Sequence, residues 1–234
     1  MNTSIAEPKQ KLSKMKSYVT EDSTKFSEIF DKNINISIWN RKLNSLISDS
    51  SEHLLKSNPQ LQFSDILEPQ NVVESLKDKF GSKENLTLVY NDISRLVNTF
   101  CDLFDLNKAW LRLDAIDHPM CPRFHTDLVV CRLVTTYLGP ATQWLPHHLV
   151  NRTKLGYGNE GKSDEESGLF KDEDDIEQLE VGNVALLKGE GWKGNEGFGL
   201  VHRSPKTKET YHRLYLTIDF EELYNRIFRV NAIK

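Results

Sequence analysis

The chain has 234 residues and a formal net charge of −4, with 38% hydrophobic and 9% aromatic residues. This length and composition are typical of a globular chain that buries a sizeable core, most simply as one domain with an N-terminal extension. The charge argues against a generally nucleic-acid-binding surface and no apolar run approaches the length of a membrane span, so neither nucleic acid nor membrane is expected as a partner.

The N-terminal residues and the cysteines indicate the compartment. Residues 1–30 are polar and Lys-rich, and we expect them to form a flexible leader. They have no apolar core like that of a signal peptide, which predicts a cytoplasmic location. Cys101, Cys121 and Cys131 are odd in number and show no CxxC pairing, so a disulfide framework is not expected.

The next part of the chain is predicted to be mainly helical. Ile34, Ile36 and Ile38 alternate with polar residues, which predicts a short strand or an extended entry segment. Helical spacing of the apolar residues that follow predicts three helices, over residues 39–56, 69–80 and 84–106. Pro69 suits the start of the second helix and Gly81 follows its end.

After residue 108 the pattern changes to that of strands. They are predicted over residues 109–116, 124–138, 144–150, 184–188, 198–202 and 213–220. Residues 159–180 are acidic and contain Gly and Ser, so we expect a solvated loop or an insertion there. Strands after a block of helices predict an α+β fold, a β-sandwich or open barrel buttressed by N-terminal helices. We predict a single domain over 31–234, with a helical part at 31–108 and a β core at 109–234.

The most informative motif is His125-Thr126-Asp127, which is followed far downstream by His202. Two imidazoles and one carboxylate are the ligands of a non-haem Fe(II) site that leaves three coordination positions open. The His-x-Asp spacing suits a strand or its end, where residues i and i+2 point to the same face. Taken alone, His125 and Asp127 are more often a surface or capping pair. In strand-like surroundings, the motif predicts that His125, Asp127 and His202 are the catalytic metal ligands of an oxygen-using enzyme.

The order of these features resembles the double-stranded β-helix of the Fe(II)/2-oxoglutarate dioxygenases over about residues 109–220. Residues 132–138 resemble the strand after the metal motif, and residues 181–187 resemble the turn and strand before the distal histidine. His202-Arg203-Ser204-Pro205 resembles that histidine and its turn. Nearly all of the chain after residue 30, including Trp39-Asn40-Arg41, is similar to a bacterial family that is known only as a domain of unknown function.

The resemblance implies a jelly-roll or cupin-like core and names the cofactor residues. Fe(II) would be chelated by 2-oxoglutarate, whose far carboxylate needs a planar cation that binds it through two charge-assisted hydrogen bonds. Arg213 matches the family's position for this role. Thr135 and Tyr137 share strand parity with His125 and Asp127 if no bulge intervenes, so they are candidate hydroxyl partners of Arg213. The candidate substrate-facing residues, for which structural packing is the alternative, are Arg123, Gln143 and Trp144.

Three functions follow from this reading. The first is an Fe(II)/2-oxoglutarate-dependent oxygenase, a hydroxylase whose small-molecule or protein substrate the sequence does not identify. The second is a non-catalytic, cupin-like zinc protein of metal homeostasis, in which Cys121 would be the fourth ligand of a closed site. The third is a metal-free β-fold that serves as an interaction module. The helical part is expected either to cover the barrel or to provide a dimer surface.

Overall fold

The structure is a computed structural model that describes residues 15–206 and 212–225. Within these residues the chain forms ten strands and three long α-helices. The strands are β1 (Lys16–Thr20), β2 (Ile34–Trp39), β3 (Gln62–Leu67), β4 (Ala109–Ile116), β5 (Cys131–Leu138), β6 (Gln143–Leu145), β7 (Glu177–Gln178), β8 (Val184–Lys188), β9 (Val201–Arg203) and β10 (Arg213–Asp219). The helices are α1 (Ser45–Ser57), α2 (Val72–Phe80) and α3 (Thr87–Phe104).

Two sheets face each other across an apolar core. The larger has seven strands in the order β1-β2-β8-β5-β10-β4-β3, and the smaller has three in the order β7-β6-β9. All neighbouring strands are antiparallel except β1 and β2, which pair in parallel. The side chains that pack between the sheets come from both of them and include Ile36, Ile38, Val134, Trp144, Ala185, Leu187 and Leu200.

The three helices pack on the outer face of the large sheet. The apolar residues of α3 recur at helical spacing and are buried there: Val89, Tyr90, Ile93, Leu96, Val97 and Phe100. The Asn44 side chain caps α1 by accepting a hydrogen bond from the backbone N of Ile47 at 2.8 Å. Helix α2 ends at Gly81, whose φ of +96° favours glycine. None of the described helices is long and apolar enough to cross a membrane.

Residues 147–176 cover the outer face of the small sheet. Their contact with it is apolar and includes Phe124, Leu145, Leu169, Phe170 and Val201. The expectation of a solvated loop at 159–180 is therefore wrong, because Asp164, Leu169 and Phe170 are buried and β7 lies in this range. The prediction failed because the many acidic residues of this segment indicated solvent exposure, although a few of its residues are buried.

The leader and the boundary between helical and β parts need correction. Residues 16–30 form β1 and a 3-10 helix at Ser23–Phe30, in which Phe26 and Ile29 are buried, so the expectation of a flexible leader is wrong for them. Residues 1–14 lie outside the described part of the chain. The predicted boundary at residue 108 between a helical part and a β core is also wrong, since β1, β2 and β3 belong to the large sheet.

Most of the other elements occur where the sequence predicts them. The strand at 109–116 is confirmed, and the helices at 69–80 and 84–106 each begin with a short 3-10 turn. The helix expected from residue 39 begins only at Ser45, because β2 continues to Trp39. In the range 124–138, the strand is regular only from Cys131. Beyond β6, Pro146 leads into a 3-10 turn at His147–Leu149.

Candidate metal centre

His125 and His202 lie directly opposite each other on adjacent segments. The backbone N of each donates a hydrogen bond to the backbone O of the other, both at 3.0 Å. Residues paired in this way project their side chains on the same face, and the two ring centroids are 4.6 Å apart. His202 lies on β9 and is also the cross-strand partner of Trp144 on β6. The small sheet therefore places both imidazoles on its inner face.

Asp127 completes a cluster with the two histidines. Its Oδ1 is 3.7 Å from the Nε2 of His125, and its Oδ2 is 3.5 Å from the Nε2 of His202. One potential ligand atom from each residue lies within 4.8 Å of the other two. No further His, Cys, Asp or Glu of the described residues joins this group, and Cys121 remains outside it. The structure thus brings together the three predicted ligand residues.

The orientation of both imidazoles suits metal ligation through Nε2. The Nδ1 of His125 lies 2.9 Å from the backbone O of Arg123, and the Nδ1 of His202 lies 3.2 Å from the backbone O of Leu200. A carbonyl oxygen only accepts hydrogen bonds, so each Nδ1 carries the hydrogen. The lone pair of each Nε2 is then left for the cluster.

The protonation states also suit a divalent cation. Burial, together with the nearby His125, lowers the pKa of His202 to about 4 despite the attraction of Asp127. Burial opposes ionisation of Asp127, but the charges of His202 and Arg132 outweigh this effect and hold the pKa of the carboxyl below its ordinary value. At neutral pH the cluster therefore offers a neutral His202 and an anionic carboxylate.

A glycine-containing turn holds the irregular segment that carries Asp127. The backbone N of Glu190 donates to the backbone O of Asp127 at 2.8 Å, and that of Gly191 donates to Val129 at 3.0 Å. A Cβ at Gly189 would lie 2.1 Å from the backbone O of Val129, which no real side chain tolerates. Only glycine at position 189 lets the turn approach closely enough to fix this segment.

The Asp127 carboxylate lies at one end of a chain of charged side chains. The Nη1 of Arg132 donates to Asp127 Oδ2 at 2.7 Å, and its Nε donates to Asp219 Oδ1 at 2.8 Å. The Nη2 of Arg112 donates to Asp219 Oδ2 at 2.9 Å. Asp219 is fully buried. These four side chains, Arg112, Asp219, Arg132 and Asp127, form the carboxylate network.

Asp164 links the two segments that carry the histidines. Its Oδ2 accepts hydrogen bonds from the backbone N of Phe124 at 2.9 Å and from the Nη1 of Arg203 at 3.1 Å. Phe124 precedes His125, and Arg203 follows His202. Because Asp164 is buried and its partners adjoin both imidazoles, it fixes the spacing of the two histidines from outside the cluster.

Replacing Asp164 by Ala should therefore weaken metal binding by about tenfold, the lower end of the range for residues that orient ligands. Equilibrium titration of the metal-free chain with Co(II) measures this. The matched control is Glu160→Ala, because that exposed carboxylate of the same segment pairs with Lys154 at 3.1 Å. Equal Co(II) affinity in wild type and Asp164→Ala would contradict the positioning role.

Arg213 lies on the inner face of β10 and is 1% exposed. Its Nη2 donates to the hydroxyl oxygens of Thr136 at 3.1 Å and Thr142 at 3.0 Å. The guanidinium carbon lies 3.9 Å from the ring centroid of Tyr215. Arg213, Tyr215 and Thr217 share the inner face, since alternate residues of a strand point the same way, while Leu214 and the other intervening residues pack towards the helices.

The prediction that Thr135 and Tyr137 are the hydroxyl partners of Arg213 is wrong, because the neighbouring residue Thr136 is the partner on β5. Tyr137 points to the helical side, where its hydroxyl donates to Asp92 Oδ2 at 2.7 Å. Thr135 shares that parity, and Thr136 faces Arg213 instead. The prediction treats 124–138 as one continuous strand, but regular pairing begins only at Cys131.

The three predicted substrate-facing residues have different positions. Trp144 lies on the inner face opposite His202 and remains a candidate. Gln143 is on the outer face, where its Oε1 accepts from Arg203 Nε at 2.9 Å, so its prediction is wrong. Arg123 is held by the covering segment, through the backbone O of Lys162 and through Asp164 at 3.6 Å, and its side chain is half exposed.

Sequence reasoning missed several residues of the site. Asp219 continues the alternation of Arg213, Tyr215 and Thr217, so the parity of β10 was a usable signal for it. The faces of Arg132 and Thr136 depend on the start of β5 at Cys131, which the sequence pattern alone does not indicate. Asp164 gave no signal because it lies in an acidic run.

Comparisons with known proteins bear on the fold. A profile of the DUF1826 family, described as a protein of unknown function, matches residues 20–219. No curated protein matches the chain. Among solved structures the chain is similar to the rice dioxygenase for auxin oxidation, with a TM-score of 0.53, 8% identity, and coverage of 88% of this chain and 82% of that one.

Two further solved structures are similar to the chain at lower TM-scores. The Arabidopsis thaliana dioxygenase for auxin oxidation 1, bound to 2-oxoglutarate, has a TM-score of 0.46 and 10% identity, covering 88% of this chain and 92% of that one. HygX from Streptomyces hygroscopicus, bound to nickel and 2-oxoglutarate, has a TM-score of 0.43 and 13% identity, covering 82% of this chain and 83% of that one. The likeness to the rice enzyme confirms the predicted fold class, an α+β double-stranded β-helix with helices on one side.

Proposed function

We propose that this chain, which belongs to the DUF1826 family of proteins of unknown function, is an Fe(II)- and 2-oxoglutarate-dependent oxygenase, most simply a hydroxylase. The observation that carries the proposal is the cluster of His125, Asp127 and His202, whose ligand atoms lie within 4.8 Å of one another. A small molecule or a protein segment is the proposed substrate.

The donor set of the cluster fits Fe(II). Two imidazole nitrogens and a carboxylate oxygen form the facial triad of non-haem iron oxygenases, which leaves three positions for a chelating keto acid and dioxygen. When bound, the iron supplies the activation of dioxygen, with the keto acid as the source of two electrons. His125 and His202 would bind it through Nε2, because each Nδ1 faces a backbone carbonyl.

The inner face of β10 supports a binding site for the keto acid beside the metal ligands. Arg213, Tyr215, Thr217 and Asp219 alternate along it, and Asp219 is linked through Arg132 to Asp127. Arg213 at the far end of this row would bind the distal carboxylate of 2-oxoglutarate. The hydroxyls of Thr136 and Thr142 accept hydrogen bonds from Arg213, so their own hydrogens are available to the same carboxylate.

An unsatisfied hydroxyl lies in the middle of the row. The Oγ1 of Thr217 is buried and has no hydrogen-bond partner among the described residues. Leaving a buried hydroxyl unpaired costs about 1–3 kcal/mol. Such a group is expected where a polar ligand binds, and it lies between Arg213 and Asp219.

The zinc alternative has less support. A closed zinc site needs a fourth protein ligand, and Cys121, the candidate for it, is not part of the described cluster.

Replacing Arg213 by Met should weaken 2-oxoglutarate binding by about 100-fold or more, since each hydrogen bond between charged groups contributes about 1.5–3 kcal/mol. Arg213→Lys retains the charge but loses the planar fork, so we expect an intermediate loss of about tenfold. Calorimetric titration of 2-oxoglutarate into the Mn(II)-loaded chain measures both losses.

Metal affinity is the internal control for this experiment. It should be nearly unchanged in the two Arg213 variants, because Arg213 does not belong to the ligand cluster. Wild-type affinity for 2-oxoglutarate in Arg213→Met would refute the proposed co-substrate site.

A further inference from the structure

We propose that Arg132, oriented by Asp219, is the positioning residue that keeps Asp127 a single-oxygen ligand of the metal. This inference rests on the proposed function, since it concerns how the cluster presents its carboxylate. It assigns a role to a partly buried arginine and a buried aspartate that are not themselves metal ligands.

The sheet register explains why these side chains meet. Leu133 on β5 pairs with Ile218 on β10, so Arg132 and Asp219 are the next opposed residues on the inner face. On the other side of β10, Arg112 pairs with Thr217 and therefore lies diagonal to Asp219. Strands β4, β5 and β10 thus supply Arg112, Arg132 and Asp219 of the carboxylate network. Asp127, which belongs to none of these strands, joins the network through its hydrogen bond from Arg132.

Arg132 is fixed at two of its nitrogens. Its Nε donates to Asp219 at 2.8 Å and its Nη1 donates to Asp127 Oδ2 at 2.7 Å. Asp219 is in turn held at its second oxygen by Arg112 at 2.9 Å. The side chain of Arg132 is 16% exposed and that of Asp219 is 0% exposed, so water competes little for these bonds. The planar guanidinium therefore has one orientation relative to the cluster.

The bond from Arg132 distinguishes the two oxygens of Asp127. Oδ2 receives a charge-assisted hydrogen bond, which occupies a lone pair and withdraws electron density. Both oxygens border the cluster, since Oδ1 is 3.7 Å from the Nε2 of His125 and Oδ2 is 3.5 Å from the Nε2 of His202. Oδ1 receives no hydrogen bond among the described residues, so only Oδ2 is engaged by Arg132. Asp127 would therefore present Oδ1 as its one free oxygen to a metal. Binding through both oxygens would fill a fourth position and leave only two, which is too few for a chelating keto acid and dioxygen together.

The charges of the carboxylate network also matter for the co-substrate. Asp127 and Asp219 carry two negative charges and Arg112 and Arg132 two positive ones, so the formal charges cancel. A divalent cation added to this neutral set, with Arg213 beside it, leaves an excess of positive charge that a dicarboxylate reduces. The arginines therefore favour binding of the metal together with a dianionic ligand over binding of the metal alone.

Two substitutions test the role of Arg132 by metal binding alone. Asp219→Asn keeps the shape but weakens the hold on Arg132, and Arg132→Lys keeps the charge but cannot bridge two carboxylates. We expect both to weaken Co(II) binding by 10- to 100-fold, the range for groups that orient metal ligands. The visible d–d spectrum of bound Co(II) should also change in position and intensity, because the Asp127 carboxylate is no longer held in one orientation by Arg132.

The control is Arg95→Lys on α3, whose guanidinium pairs with Asp92 far from the cluster. Circular dichroism shows whether each variant folds, and Arg132→Lys still decides the question if Asp219→Asn does not fold. Folded variants with wild-type Co(II) affinity and spectrum would overturn the role of Arg132 and leave the proposed function standing. A wild-type chain that binds no Co(II) would overturn both.

Discussion

Replacing His202 by Ala should abolish stoichiometric metal binding. His202 has the most buried of the three candidate ligand side chains, at 8% exposure, and its backbone pairs directly with His125. Without its Nε2 a divalent cation would keep one imidazole and one carboxylate, which is too few for tight binding. We expect the affinity to fall by more than the roughly 100-fold that loss of an orienting group costs.

Titration of the metal-free chain with Co(II) or Mn(II) at micromolar protein measures this loss. Wild type should bind one equivalent, and His202→Ala should show no saturable binding. The matched control is His148→Ala, which removes an exposed histidine outside the cluster and should bind like wild type. Unchanged stoichiometry in His202→Ala would mean that the metal binds elsewhere.

The largest effect on stability is expected from Asp92→Asn. Asp92 on α3 accepts two hydrogen bonds from the guanidinium of Arg41, at 2.7 and 2.9 Å, and one from the Tyr137 hydroxyl at 2.7 Å. Both charged side chains are buried, at 7% and 2% exposure. The variant leaves Arg41 buried without a counterion, which costs about 3–5 kcal/mol. Urea unfolding of the variant against wild type measures the loss.

The pH dependence of this difference has a definite sign. Burial opposes ionisation of Asp92, but the hydrogen bonds and charge of Arg41 outweigh it and lower its pKa below the ordinary 3.8. The contribution of the ionised carboxylate to stability is therefore complete above about pH 4 and is lost as the pH falls through the lower folded-state pKa. The gap between wild type and Asp92→Asn should narrow in acid.

The control for this prediction is Glu52→Gln, which breaks the exposed pair of Glu52 with Lys56 and should leave the urea midpoint nearly unchanged. Equal unfolding free energies for wild type and Asp92→Asn at neutral pH would contradict a structural role for the buried pair. So would a gap that stays constant down to acid pH.

Local patterns in the sequence identified the principal site residues. His125 and Asp127 are two positions apart, so proximity in sequence ensures proximity in space. The alternation of Arg213, Tyr215 and Thr217 depends only on strand geometry, which gives a period of two. Helix α3 was equally readable, because its apolar residues repeat at helical spacing over five turns.

Other residues depend on pairings that one segment does not encode. Whether Thr135 or Thr136 faces Arg213 is decided by where β5 becomes regular, and that start is fixed by contacts with β8 and the turn at Gly189. A shift of one residue exchanges the two faces of a strand. The network of Arg132 with Asp219 likewise joins residues 87 positions apart in the sequence.

Composition did not predict the structure of two segments that are stabilised by contacts with residues distant in the chain. Lys16–Thr20 is polar for a strand, yet it pairs in parallel with β2 at the edge of the large sheet. Asp164 lies in an acidic stretch of the kind that is usually solvated, but Arg203 and the backbone of Phe124 compensate its burial. In both cases the partner that stabilises the segment is distant in the chain.

The most direct test of the account is an anaerobic titration of the metal-free chain with Fe(II) and then 2-oxoglutarate, followed by visible absorption. We predict a charge-transfer band that requires both additions, saturates at one equivalent of each, and is absent in His202→Ala. Tight binding of zinc with no band after Fe(II) and 2-oxoglutarate would contradict the oxygenase assignment and favour a zinc-binding protein.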